Sequence, residues 1–305
     1  MTFSVTVLGN NAALPAKGRH PTALVLNHNE EFCLLDCGEG TQMRFIDLKI
    51  KTGRLHTIFI SHLHGDHCFG IPGLLTSLHL NRREQPLTII GPKGLKEIIE
   101  LQFSYSDTHL CYPLHFMEVD TKAHAKVYEN DLIEVFTIPM THRIPCCGYL
   151  FKEKVGLRKI NIEEVTRLEI PYSFYSGFKQ GKDYVTEKGE TILNKQLTFD
   201  PGPPRTFAFC SDTIFNEKYI DILHGADLIY HESTFLEEDK EKATDRFHCT
   251  AEQAATIAKK AGVKKLLLGH FSARYETLEM FGAEAKTVFT NSVVSREGET
   301  YNVGE

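Results

Sequence analysis

The run Ser61-His62-Leu63-His64-Gly65-Asp66-His67 places three imidazoles and a carboxylate within six residues. Neutral imidazole and carboxylate are ligands for zinc, and also for manganese or iron. Four such donors exceed what one open catalytic site takes. They make a natural start for two adjacent metals, and such pairs clamp both the attacking and the leaving oxygen of a displacement. The plainer alternative is a polar loop whose histidines are merely solvated, a reading that suits one histidine better than this spacing. More donors follow singly downstream: His142, Asp212, His231-Glu232, His248 and His270.

The elements around these residues explain how they come to share a place. Thr57-Ile58-Phe59-Ile60 is a short, β-branched apolar run that reads as a buried strand, and Cys68 to Leu80 reads as a helix. On an extended chain, side chains two apart point the same way, so His62 and His64 share a face. The pattern of a strand followed by a functional polar residue then repeats. Ile133 to Ile138 leads to His142, Thr206 to Cys210 leads to Asp212, and Asp227 to Tyr230 leads to His231-Glu232. Lys265 to Leu268 leads to His270. Strand ends converging on one point are how α/β proteins build sites. Hairpin-rich stretches at 4–36 and 114–151 argue for two mixed sheets. The expected architecture is therefore a four-layer αββα sandwich with a cleft at one rim. Asp36, closing a strand, has two readings: it orients a ligand histidine through the second ring nitrogen, or it caps the following helix. Thr250 with Gln253 reads as a capping box.

Composition narrows the class. At 305 residues, 42% hydrophobic and 24% charged, the chain can bury a full core. No apolar run approaches the roughly 18 residues of a membrane helix, and Met1 to Val5 has no basic stretch before an apolar segment, so no secretory leader is expected. Eight cysteines without a CxxC motif argue for free thiols in a reducing compartment, and hence for the cytoplasm. A net charge of −6 does not advertise a nucleic-acid binder, although a metal site adds positive charge of its own. Residues 152–200 break the pattern, since apolar periodicity fades there. Within them Tyr172, Phe174, Tyr175, Phe178, Lys179 and Lys182 form an aromatic and basic tract without an acid. Such a tract suits a nucleic-acid platform; rings packed onto their own domain are an equally good reading.

The motifs Pro15-x-Lys17-x-Arg19, Asp36 to Gln42, Ser61 to His67, His142-Arg143-Ile144-Pro145, Ser211-Asp212-Thr213, His231 to Thr234, His248-Cys249-Thr250 and His270 to Tyr275 span nearly the whole chain in order. This set resembles the metallo-β-lactamase superfamily and, within it, the short form of the ribonuclease Z family of tRNA 3′-processing endonucleases. The resemblance implies a single metallo-β-lactamase-like domain over 1–305, with an inserted arm at about 152–200 that grips the tRNA body. It implies two zinc ions, with manganese or iron as alternatives. One would sit at His62, His64 and His142, and the other at Asp66, His67 and His270, with Asp212 bridging. Asp66 would be the general base, and His248, oriented by Glu232, a second catalytic histidine. Lys17, Arg19, Arg274 and the arm tract would contact RNA, in a homodimer with no membrane association. The implied reaction removes the 3′ trailer of precursor tRNA at one phosphodiester bond and leaves a 3′-hydroxyl. The alternative, carried by the metal motif alone, is another hydrolase of this fold acting on a small ester or a cyclic nucleotide. His20, His28, His56, His79, His109, His115, His124 and His224 show no ligand spacing and are expected mostly at the surface.

Overall fold

The apolar strands pair into two seven-stranded sheets in the computed structural model, which describes residues 2–14, 16 and 18–304. The first sheet runs in the order Thr300–Asn302, Phe3–Gly9, Ala23–His28, Glu31–Leu35, Leu55–Phe59, Leu87–Pro92 and Leu114–Val119. Its first three pairings are antiparallel, and from Glu31–Leu35 onward the strands are parallel. The second sheet runs Ser292–Val294, Leu266–Gly269, Leu228–Glu232, Thr206–Cys210, Cys147–Glu153, Ile133–Pro139 and Lys126–Glu129.

Side-chain alternation gives each sheet two apolar faces. In the first, Val25, Leu34, Ile58 and Ile89 pack with residues of the helices Thr41–Asp47, Ile71–Leu80 and Leu95–Tyr105. Leu24, Leu26, Leu35 and Phe59 alternate to the other face and are equally buried. There the ring of Phe59 meets Tyr149 at 5.0 Å and Phe151 at 5.2 Å, both from the second sheet. The Tyr149 hydroxyl donates to the Ile60 carbonyl at 2.7 Å. On the far side of the second sheet, Ala208, Ile229, Leu266 and Leu268 pack with the helices Ala251–Ala261 and Glu279–Val288. The layers are thus helix, sheet, sheet, helix. Each fully buried Phe or Leu contributes about 1.5–3 kcal/mol. The Ala251–Ala261 helix begins with both bonds of the expected Thr250–Gln253 capping box and ends at Gly262, whose φ of 63° suits glycine.

Three edge strands, Lys126–Glu129, Ser292–Val294 and Thr300–Asn302, correct the sequence reading, which gave them no assignment. They are three or four residues long and partly exposed, too short to establish an alternation of their own. Their pairing is dictated by the sheet edges they join. All eight cysteines are unpaired, and among the described residues no helix is long and apolar enough to cross a membrane.

Contacts divide the chain in two, with residues 129–134 and 152–205 forming a second unit. That unit has its own small core of Val165, Ile170, Phe178 and Leu197. The Asn161 side chain caps its helix Ile162–Arg167, and Asn194 Nδ2 donates to the carbonyls of Phe178 and Lys182 at 2.9 Å each. Arg205 and Glu153 close the unit's base with a bidentate pair at 2.7 and 2.9 Å.

Candidate metal centre

The strand register brings the candidate ligands together. In the second sheet Cys210 pairs with His231 and Glu232 with Gly269. Asp212, Glu232 and His270 therefore emerge at one rim. In the first sheet Leu35 pairs with Phe59, and the Asp36 amide donates to the Phe59 carbonyl at 2.8 Å. Asp36 thus lies beside Ser61 and the histidine run. Asp36 and His270 both hold positive φ values, 55° and 57°, a backbone region uncommon for residues with a Cβ and typical of sites that surrounding structure enforces.

Two donor groups with no residue in common result, one of His62, His64, His142 and Asp212, the other of Asp66, His67 and His270; a third, of Asp212, His248 and His270, overlaps both. His64 Nδ1 lies 3.0 Å from His62 Nε2 and 3.2 Å from His142 Nε2. His67 Nε2 lies 3.2 Å from His270 Nε2, and Asp66 Oδ2 lies 3.4 and 3.5 Å from those two nitrogens. Donors bound tetrahedrally at about 2.0–2.1 Å from one metal stand about 3.3 Å apart, so the spacing fits. Asp212 stands between the groups. Its Oδ1 is 3.2 Å from His270 Nε2 and 3.5 Å from His67 Nε2, and its Oδ2 is 3.6 Å from His62 Nε2. Oδ1 is buried with no hydrogen-bond partner among the described residues, an expensive state for a carboxylate unless a cation meets it.

The outer ring nitrogens support the same reading. His62 Nδ1 donates to Ser61 Oγ at 3.0 Å, His67 Nδ1 to Asp36 Oδ2 at 2.6 Å, His142 Nδ1 to the Phe247 carbonyl at 3.1 Å, and His270 Nδ1 to Thr234 Oγ1 at 2.8 Å. Each bond fixes the tautomer that leaves Nε2 as a lone pair for a metal. Of the two readings of Asp36, the orienting one holds: it is fully buried and also accepts from the Ser61 amide and hydroxyl at 2.7 and 2.8 Å. Ser211 Oγ in turn donates to Ser61 Oγ at 2.8 Å.

Electrostatics follow from burial among these charges. Burial holds His62, His64 and His142 below the usual imidazole range, which keeps them neutral. Burial also pushes His67 down, but the carboxylates of Asp212, Asp66 and Asp36 outweigh it and raise the ring. Three carboxylates there demand positive charge, which a metal ion supplies as well as a proton does. Burial pushes Asp66 up, yet the neighbouring His67 and His270 hold it well below the carboxylate range.

A cavity of about 420 Å³ opens onto this cluster, lined in part by Asp66, His142, Asp212, His248 and His270. His248 Nδ1 donates to Glu232 Oε1 at 3.1 Å. Glu232 is fully buried and satisfied, accepting also from the amides of Thr213, Cys249 and Thr234 and from the Thr234 hydroxyl. Burial would lower the His248 pKa, but Glu232 and Asp212 raise it. His231 turns elsewhere, to the Tyr219 hydroxyl at 2.9 Å.

The remaining predicted positions are more varied. Lys17 lies outside the described residues. Arg19 Nη2 donates to the Tyr275 carbonyl at 2.8 Å. Arg274 is engaged within the fold, bonded to Asp239 at 3.0 Å and laid over the Phe235 ring. In the second unit Tyr172, Phe174, Lys179 and Lys182 are exposed and Tyr175 is partly so. Phe178 corrects the expectation of an RNA contact: it is 1% exposed and serves as core. His28 is likewise buried rather than at the surface. The sequence motifs include Thr234 and Ser61 but assign neither a role: Thr234 stands two residues after Glu232 at a strand end, and Ser61 opens the histidine motif.

Fold and site together define a hydrolase of the metallo-β-lactamase fold. Residues 178–271 match the family described as beta-lactamase superfamily domain, and residues 3–158 match one described as anti-Pycsar protein Apyc1. The chain is 43% identical over 295 residues to ribonuclease Z of Bacteroides fragilis and 41% to that of Porphyromonas gingivalis, with 97% of each chain covered. The structure is similar to human tRNase Z, short form, with a TM-score of 0.71 and 26% identity, covering 98% of this chain and 99% of that one. A long form RNase Z from yeast has the same TM-score at 16% identity, covering 99% of this chain and 42% of that one, a likeness of fold alone. The chain belongs to the ribonuclease Z family.

Proposed function

We propose that this chain is a zinc-dependent endoribonuclease that removes the 3′ trailer of precursor tRNA by hydrolysing one phosphodiester bond. The observation that carries the substrate is the likeness to ribonuclease Z over 97% of the chain, because the metal-ligand cluster alone would serve a lactam or thioester equally well. In this reading His62, His64 and His142 would hold one metal and Asp66, His67 and His270 the other, with Asp212, which stands between the groups, available to both. Two metals bound there would lower the pKa of water and offset the charge developing on phosphate. Asp66, kept ionised, is placed to take a proton from the attacking water. Its Oδ2 is steadied by the Ala13 amide at 2.8 Å. The departing ribose 3′-oxygen is a poor leaving group and needs a proton. His248 supplies it, held protonated and in place by Glu232.

Residues 152–200, which fall in the second unit, serve in this reading as the arm that holds the tRNA body, with Tyr172, Phe174, Lys179 and Lys182 exposed for contact. Free thiols suit a cytoplasmic protein, and a homodimer is the assembly we assign. The test is a substrate panel. A 3′-extended precursor tRNA should be cut by the metal-loaded enzyme, while a thioester and a cyclic nucleotide should be turned over far more slowly. The reverse order would move the protein to a different activity of the same fold.

A further inference from the structure

Phe69 is out of place for a folding role. It follows the helix Gly65–Cys68 directly, it is 69% exposed, and among the described residues it joins none of the buried apolar clusters. A single exposed apolar residue ordinarily needs no explanation. This one, however, lines the cavity onto which the metal cluster opens. Its ring lies across Gly65, where an added Cβ would come within 2.5–3.0 Å of three ring atoms, so the glycine is what lets the ring lie there. Its Cα is roughly 4.5 Å along the helix axis from Asp66, at about 1.5 Å per residue. Leu14, 65% exposed, lines the same cavity. So does Arg143, exposed and without an ion pair or hydrogen bond among the described residues. Glu39 is the exposed acid at this mouth.

An apolar ring, a second apolar side chain and a free guanidinium beside a phosphodiester-cleaving centre match the parts of a nucleotide. A base offers an aromatic face that stacks on Phe whatever its identity, and Arg takes a phosphate bidentately. We propose that Phe69, backed by Leu14, is the platform on which a base flanking the scissile phosphate stacks, with Arg143 taking a phosphate of the same strand. This rests on the reading of the substrate as RNA. It gives the cleft a requirement for a base next to the cut, independent of how the body of the RNA is held.

The test is a cycle on kcat/KM with Phe69→Ala and Phe69→Tyr, using precursor tRNA either intact or made abasic at one of the two nucleotides flanking the cut. Base–aromatic stacking corresponds to about a 5- to 150-fold effect. Phe69→Ala should lose that factor on the intact substrate, and Phe69→Tyr should retain activity. At one of the two abasic positions wild type should lose a similar factor, and Phe69→Ala should lose nothing more. Losses that simply add at both positions would overturn the platform, as would a full effect of Phe69→Tyr. A fall in oligomeric mass with Phe69→Ala would assign the ring to a contact with a second copy instead. Wild type failing to cut the precursor at all would refute the RNA reading itself, an outcome distinct from the other three.

Discussion

One hydroxyl illustrates how tightly the site is determined. Thr234 Oγ1 accepts from His270 at 2.8 Å, donates to Glu232 at 2.8 Å, and lies 3.3 Å from His248 Nδ1. It thereby joins a candidate metal ligand to the pair proposed to protonate the leaving group. Leaving any of these buried groups unpaired would cost about 1–3 kcal/mol, so their geometry is fixed before substrate arrives. The role of His248 can be read from what leaves. A 3′-alkoxide needs a proton and a nitrophenolate does not. His248→Ala should therefore slow cleavage of precursor tRNA by about a hundredfold to ten-thousandfold. Hydrolysis of bis-p-nitrophenyl phosphate should barely change, and metal content should stay the same. Equal losses on both substrates would make His248 structural.

At the scale of elements, the ligand-bearing strand ends were legible because two constraints coincide there. A buried parallel strand writes an apolar run, and the polar residue after it breaks that run, which is how Asp212 and His270 could be picked out singly; His142 follows the strand Ile133–Pro139, whose buried and partly buried residues alternate. What could not be read were elements stabilised by their neighbours rather than by their own pattern, such as Thr300–Asn302, which completes the first sheet beside Phe3–Gly9. Nor could the sequence sort the rings of the 171–182 tract. Phe174 and Phe178 have the same side chain, yet one is 46% exposed and the other 1%. Phe178, in the short helix Tyr175–Lys179, enters the small core of Val165, Ile170 and Leu197, whereas Phe174, one turn earlier at the end of Tyr172–Phe174, covers it from outside, its ring 6.5 Å from that of Phe178 and 5.0 Å from that of Tyr184. Because that unit has its own core, its contribution is separable. Excising the arm, 152–200, should weaken cleavage of precursor tRNA strongly while bis-p-nitrophenyl phosphate is still hydrolysed. Loss of both activities in a folded protein would remove the arm from its proposed role. Cleavage of the precursor should also weaken with salt as lysine–phosphate contacts release counterions.

For the molecule as a whole, the site is where the two sheets are tied together. Each of the two separate donor groups draws on both: His62 and His64 follow a strand of the first sheet and His142 one of the second, while Asp66 and His67 meet His270 in the same way. Metal binding should therefore stabilise the fold by mass action as well as enable chemistry. Purified protein should carry about two metals per chain. Asp212→Ala should loosen both and lower the melting temperature of the metal-loaded protein. One tightly held metal, indifferent to that change, would refute the bridging role. The products of the reaction record how the bond is broken. Attack by water with departure of the 3′-oxygen leaves a 3′-hydroxyl on the tRNA and a 5′-phosphate on the trailer. Attack by the neighbouring 2′-hydroxyl would leave a cyclic phosphate instead. Mapping both new ends after incubation with a 3′-extended precursor tRNA is the most direct test. The proposed reaction predicts one cut, a 3′-hydroxyl and a 5′-phosphate; a 2′,3′-cyclic phosphate, scattered cuts or an intact precursor would contradict it.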